Sequence, residues 1–66
     1  MKEKKPFVAE VGAVFYDGGG CRVEITMLSQ DDYYCVVQYG QGDSSYLDII
    51  CVHTIYDKID EGEWKY

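Results

Sequence analysis

A chain of 66 residues and 7.6 kDa has room for one domain, which excludes dinucleotide-binding folds and barrel enzymes. Apolar residues make up 47% of it and charged residues 27%, a balance typical of a packed core rather than of disorder. The formal net charge of −6 disfavours direct binding to nucleic-acid phosphates and to anionic membranes.

The charges are unevenly distributed along the chain. Three of the six cations lie in the first five residues, and Lys65 is next to the last residue. From Pro6 to Asp57 the one cation is Arg22, set against eight carboxylates. We therefore expect a single domain over residues 1–66, with a basic, flexible N-terminus over residues 1–5 and a C-terminal tail over residues 63–66. Such an acidic body attracts basic surfaces, including a nucleic-acid-binding groove on another protein.

We expect neither a secretion signal nor a transmembrane segment, because no long apolar run follows the basic residues at the start of the sequence. Its cysteines, Cys21, Cys35 and Cys51, are odd in number and match no zinc-knuckle spacing. We expect free thiols in a reducing cytoplasm, no bound metal and no cofactor.

The first predicted strand covers residues 7–16. Alternate positions of this segment are apolar and share one face: Phe7, Ala9, Val11, Ala13 and Phe15. Gly12 in its middle predicts a bend or a bulge. Residues 17–20, Asp-Gly-Gly-Gly, then predict a hairpin turn.

Three further strands are predicted, over residues 21–28, 33–40 and 46–52. In the first of them Cys21, Val23, Ile25 and Met27 alternate with polar residues, which predicts that they face the core. Residues 29–32 form the next turn, and a polar, glycine-rich loop covers residues 40–45. The regular spacing of the turns favours an antiparallel meander.

The last segment predicts a short helix over residues 55–61, with Thr54 as its N-cap and Gly62 just beyond its end. A fifth strand is the alternative for this segment. The chain is therefore either α+β, a four-stranded antiparallel sheet with a short C-terminal helix, or all-β, a small SH3-like or OB-like barrel of five strands. The order of four strands followed by a helix resembles the PC4-like single-strand-binding fold, which dimerises. Open sheet edges likewise predict a homo-oligomer.

Two sets of residues, carboxylates and one tyrosine, are candidate functional residues. Asp17 and Asp43 lie at the same end of a meander and could share a divalent cation, although aspartate is also a favoured turn residue. Binding is expected at the other set, where Asp31 and Asp32 occupy a turn. Tyr34 lies beside that turn, and Glu24 projects from the polar face of the second strand: Asp31, Asp32, Tyr34 and Glu24 form this set.

In size, acidity and the absence of a catalytic motif, the chain resembles the small acidic proteins that phages and mobile elements use against host defences. Anti-CRISPR proteins and DNA mimics belong to that group. The resemblance implies an inhibitor that occupies the basic surface of a nucleic-acid-binding protein or nuclease in the cytoplasm of a bacterial host. One alternative is a small oligomeric DNA-acting protein that nicks DNA with a metal or binds single strands. Another is a structural subunit whose acidity is incidental.

Overall fold

The computed structural model describes residues 5–40 and 45–66, which form one antiparallel sheet followed by a helix. The sheet has the strand order β1-β2-β3-β4. Its elements are β1 Val14–Tyr16, β2 Arg22–Leu28, β3 Tyr34–Tyr39, β4 Tyr46–Cys51 and helix α1 Val52–Asp60. The predicted four-stranded sheet with a C-terminal helix is confirmed. The barrel alternative is wrong, because the segment assigned to its fifth strand is α-helical.

The turn between β1 and β2 forms as the sequence predicts. The Oδ1 atom of Asp17 accepts hydrogen bonds from the backbone N–H groups of Gly19 and Cys21, both at 2.9 Å. Gly20 has a φ of 83°, a left-handed conformation that glycine adopts without a steric penalty. The Asp17 side chain therefore stabilises the hairpin turn itself.

Strand β1 is much shorter than predicted. Its start is delayed by a turn around Gly12, whose φ is 95° and whose N–H donates to the Ile25 carbonyl at 2.8 Å. Ahead of this turn the chain leaves the sheet, so Val11 is 62% exposed although the alternation places it in the core. Phe7 lies on the core side of the sheet and packs edge-to-face against Phe15 and Tyr66.

A β-bulge in β2 overturns the predicted orientation of Met27. The register with β3 shifts between Ile25 and Met27, so Met27 pairs with Val36 and Leu28 pairs with Cys35. One extra residue moves every later side chain to the opposite face. Leu28 accordingly packs against the core, and Met27 lies on the other side of the sheet.

Helix α1 begins three residues before its predicted start. Cys51, in an extended conformation, is the N-cap and makes no side-chain capping bond, so Thr54 lies inside the helix. Gly62 follows the C-terminus as predicted, with a φ of 82° and its N–H donating to the Ile59 carbonyl. The helix closes a core between itself and the sheet that contains Phe15, Val23, Ile25, Cys35, Val37, Val52 and Ile55.

The predicted C-terminal tail, residues 63–66, packs along β1. The Trp64 ring stacks on Phe15 with centroids 5.2 Å apart. Lys65 and Tyr16 exchange two backbone hydrogen bonds, of 2.6 and 2.8 Å. The Tyr66 hydroxyl donates to the Lys5 carbonyl at 2.7 Å. The rest of the predicted flexible N-terminus, residues 1–4, lies outside the described residues.

Candidate protein-interaction site

The sheet has one face that α1 does not cover, which we call the open face. Antiparallel partners point to the same side of a sheet, so the register places side chains on this face in rows. Met27, Val36 and Ile49 form one row across β2, β3 and β4. The adjacent row contains Glu24, Gln38 and Leu47.

Large apolar side chains are concentrated on the open face near β4. We call them the apolar patch: Met27, Tyr34, Val36, Leu47 and Ile49. Leu47 and Ile49 are 65% and 66% exposed, and Met27 is 61% exposed. A shallow groove of about 400 Å³ runs between Val36, Leu47, Asp48 and Ile49. Contiguous apolar surface of this kind marks interaction sites, whereas single exposed apolar residues are ordinary.

The turn between β2 and β3 places two carboxylates at one end of the apolar patch. The Ser29 hydroxyl donates to Asp31 Oδ1 at 2.6 Å, and the Tyr33 N–H donates to the same atom at 3.1 Å. These bonds, that of Ser29 first, hold the pKa of Asp31 below its usual value of 3.8. Asp32 is exposed and has a φ of 59°, a conformation that aspartate tolerates better than most residues.

Tyr34 connects this acidic turn to the apolar patch. Its ring packs edge-to-face on Tyr33 with centroids 4.7 Å apart, and half of its surface remains exposed. A groove of about 430 Å³ lies between Ser29, Gln30, Asp31 and Tyr34. The structure thus brings three of the predicted binding residues together, Asp31, Asp32 and Tyr34. Their role in binding stays a prediction.

Glu24, the fourth predicted binding residue, lies on the open face at the other side of the apolar patch. Its carboxylate is 3.2 Å from the Arg22 guanidinium, and both side chains are about one-third exposed. An exposed ion pair of this kind contributes little to stability. It does compensate part of the negative charge, which makes Glu24 the weaker attractor for a basic partner.

The predicted pair of Asp17 and Asp43 is not a described site. Asp43 lies outside the described residues. Asp17 belongs to the turn at the opposite end of the sheet from Asp31, and two backbone N–H groups already occupy its Oδ1 atom. Within residues 5–40 and 45–66, no three His, Cys, Asp or Glu side chains are grouped as metal ligands.

Cations are absent from a long continuous part of the sequence. No lysine or arginine occurs between Arg22 and Lys58, a stretch that includes β3, β4 and the acidic turn. Lys65 lies beside β1 at the other edge of the sheet, and Lys58 on α1 pairs with Glu63 at 3.4 Å. Taken together, β3, β4 and the acidic turn therefore contain carboxylates but no lysine or arginine.

Sequence reasoning missed most of the apolar patch. The alternating pattern predicts that Met27 faces the core, because a bulge leaves no signal in such a pattern. The sequence did contain a signal for Leu47 and Ile49, since β4 has apolar residues on both of its faces. Only one face of the sheet can pack against α1, so the apolar residues of the other face are left uncovered by it.

A second groove, of about 500 Å³, lies on the helix side of the molecule. It is lined by Pro6, Phe7, Tyr56, Asp57, Ile59, Asp60 and Tyr66. Phe7 and Tyr56 form an edge-to-face pair inside it, and the Tyr56 hydroxyl accepts from the Ala9 N–H at 2.9 Å. Intramolecular contacts thus engage Phe7 and Tyr56 within this groove.

No protein-family model, curated protein or solved structure matches the chain. Among the described residues no helix has the length and apolar character needed to cross a membrane. Function is therefore inferred from the chain's own residues, their exposure and their charge.

Proposed function

We propose that the chain is an interaction protein that occludes the basic surface of a nucleic-acid-binding protein or nuclease. One observation carries the proposal: an exposed apolar patch is bordered by carboxylates in a part of the chain without a single lysine or arginine. The apolar side chains supply affinity, at about 25 cal/mol for each Å² buried. The carboxylates select a basic partner and speed its approach.

Tyr34 is the proposed anchor of this interface. Tyrosine is enriched among the residues that dominate binding energy, because its rigid ring buries a large area with few rotatable bonds. It stands between the acidic turn and the apolar row, so a partner that contacts both must cover it.

Anti-defence inhibitors of the anti-CRISPR or DNA-mimic type are the proposed class, acting in the cytoplasm of a bacterial host. Such an inhibitor places negative charge at the positions where its target binds the phosphates of nucleic acid. Residues 31 and 32 place two adjacent aspartates on an exposed turn. Hydrogen bonds from the Ser29 hydroxyl and the Tyr33 N–H lower the pKa of Asp31 and fix the position of its carboxylate.

The test uses the immobilised chain to isolate a partner from bacterial lysate and to measure its binding kinetics with and without nucleic acid. We expect a partner that binds nucleic acid by itself and that nucleic acid displaces from the chain. Replacing both Asp31 and Asp32 with Asn should slow association roughly tenfold at low salt and much less at moderate salt, because salt screens exposed charges.

The matched control replaces Asp57 and Asp60 with Asn, which removes the same charge from the helix side. This variant should associate nearly as fast as the parent if the acidic turn is the site. Tyr34→Ala should raise the dissociation rate by about tenfold or more, whereas Tyr46→Ala, an exposed tyrosine on the other face, should not. Equal effects of both carboxylate pairs, or a partner that nucleic acid does not displace, would contradict the proposal.

A further inference from the structure

The outer edge of β4 is paired with no other described strand. The sheet order ends at β4, and the Ile49 N–H donates to the carboxylate of its own neighbour, Asp48, at 2.8 Å. An amide bonded in this way points away from β3. Two further hydrogen bonds agree with that orientation. The carbonyl of Val36, which is the partner of Ile49 on β3, accepts from the Thr26 hydroxyl on β2 and so points away from β4. The Val52 N–H donates to the Tyr33 carbonyl, so the backbone groups that alternate with those of Ile49 point toward β3.

Strand alternation extends this orientation to the neighbours of Ile49. Residues two apart in an antiparallel ladder direct both N–H and C=O to the same side, so Leu47 and Ile49 both present these groups to the free edge. Their side chains lie on the open face and are about two-thirds exposed. The edge thus offers main-chain bonds and an apolar surface along the same line.

Asp48 shows which charge a partner strand should carry. Its side chain lies on the opposite face of β4 from Leu47 and Ile49, and its carboxylate stands where a neighbouring strand would place a carbonyl. A pairing strand would replace the carboxylate at the Ile49 N–H and release it for a cation. An exposed charge on an edge strand also discourages unspecific pairing.

We propose that β4 accepts an extended segment of the basic partner as a fifth, antiparallel strand. The segment alternates aliphatic residues, beside Leu47 and Ile49 on the open face, with lysine or arginine on the side of Asp48. This inference rests on the proposed function for the identity of the partner and adds the surface and the mode of binding. A segment held in this way is removed from nucleic acid.

Charge selects this occupant over a second copy of the chain. Two copies joined at β4 would bring together two halves that contain carboxylates and no lysine or arginine between Arg22 and Lys58. A basic segment meets the same carboxylates with opposite charge. Self-association, which the open edges alone predict, is therefore an outcome that the test must separate.

The test uses short capped peptides that alternate isoleucine and lysine, with binding followed by fluorescence anisotropy and by backbone amide shifts. In the antiparallel geometry the isoleucine N–H groups point to β4 and the lysine N–H groups point away. A peptide N-methylated at its isoleucines should lose about tenfold or more in affinity, because it cannot form the main-chain hydrogen bonds to β4. The peptide N-methylated at its lysines should bind like the parent peptide.

Protein variants complete the experiment. Ile49→Pro removes the outward N–H and should weaken binding of the parent peptide about tenfold, while a joint Leu47→Lys and Ile49→Lys change tests the edge without proline. Asp48→Asn should weaken binding more than Asp57→Asn on the helix. Amide shifts on peptide addition should be largest at Leu47 and Ile49.

Equal affinity of the two methylated peptides, or shifts confined to other strands, would overturn the inference. So would a protein that is dimeric alone and becomes monomeric on Ile49→Pro, because a second copy would then occupy β4. Failure of these peptide tests, with partner capture and the Asp31 and Asp32 effects intact, would reject the strand mode and leave the proposed function standing. Peptide binding without any nucleic-acid-binding partner would reject the proposed function alone.

Discussion

The two edge strands of the sheet, β1 and β4, differ in how their outer backbone groups are paired. At the β1 edge, Lys65 exchanges two backbone hydrogen bonds with Tyr16, and Trp64 stacks on Phe15 beneath them. At the β4 edge, the Ile49 N–H finds a partner only in the Asp48 side chain among the described residues, and Leu47 is exposed beside it. The chain's own C-terminus covers the first edge at Tyr16. The second edge keeps its main-chain and apolar groups available.

This difference limits what the protein can assemble into. A sheet with two free edges can add strands at both sides and grow into fibres, whereas a sheet with one free edge adds a strand once. The strand at the free edge also belongs to the stretch between Arg22 and Lys58, which contains no lysine or arginine. Closure of β1 thus directs any strand addition to the acidic half of the molecule.

The largest expected effect comes from opening the closed edge. Trp64→Ala removes the ring stacked on Phe15 and should lower the free energy of unfolding by about 2–3 kcal/mol, somewhat less than for a fully buried aromatic. A chain of this length has only ~3–5 kcal/mol in all, so the variant should be close to unfolding. Urea denaturation followed by circular dichroism measures the change.

The matched substitution at the free edge is Ile49→Ala. Its side chain is 66% exposed, so its free energy of unfolding should stay within about 0.5 kcal/mol of the parent value. Trp64→Phe keeps part of the stacking and should fall between the two. A larger loss at Ile49 than at Trp64 would mean that β4, and not β1, is the covered edge.

A second pair of substitutions compares the backbone bonds of the two edges. Lys65→Pro removes the N–H that donates to the Tyr16 carbonyl and should cost about 1 kcal/mol in the free energy of unfolding. Ile49→Pro removes an N–H that points away from the sheet and should cost about half of that or less. Thermal unfolding of both variants gives the comparison.

Hydrogen exchange checks the same difference without a substitution. The amides of Tyr16 and Lys65 should exchange slowly, and that of Ile49 much faster, because a carboxylate on a flexible side chain protects an amide less than a paired strand. Equal protection at the two edges would show that β4 is covered in solution.

The sequence was sufficient for the strands, the turn at Asp17 and the presence of the helix, because each depends on local patterns. It failed where one backbone event changes the faces. Gly12 predicts a bend, but the sequence does not show that the chain before Gly12 leaves the sheet. The bulge before Met27 has no signal in the sequence. The pairing of Lys65 with Tyr16 on β1 could not be predicted from the sequence either. Lys65 pairs through its backbone, and any residue except proline could do so.

For the candidate site, the acidic turn could be predicted because turn chemistry and charge are local. Of the apolar patch, Leu47 and Ile49 could be predicted from the apolar residues on both faces of β4. Met27 could not, because the sequence does not state the register between β2 and β3. Cys51 shows the same limit at the helix start, where the chain changes from strand to helix without a capping side chain. Val52 then turns into the core as the first residue of α1.

The smallest expected effect concerns the turn that ends the acidic half of the sheet. Hydrogen bonds from the Ser29 hydroxyl and the Tyr33 N–H lower the pKa of Asp31 in the folded state, so the folded chain binds fewer protons there than the unfolded chain. The stabilisation is therefore present above the usual pKa of 3.8 and is lost as the pH falls through the lower folded value. Asp31→Asn should slightly lower the thermal midpoint at neutral pH and match the parent in strong acid. Asp32→Asn removes an equal charge from the same turn and leaves both bonds to Asp31 in place, so it should keep the pH dependence of stability that Asp31 gives the parent. Parallel stability curves for parent and Asp31→Asn across this acid range would show that the turn does not hold its carboxylate in solution as it does in the structure.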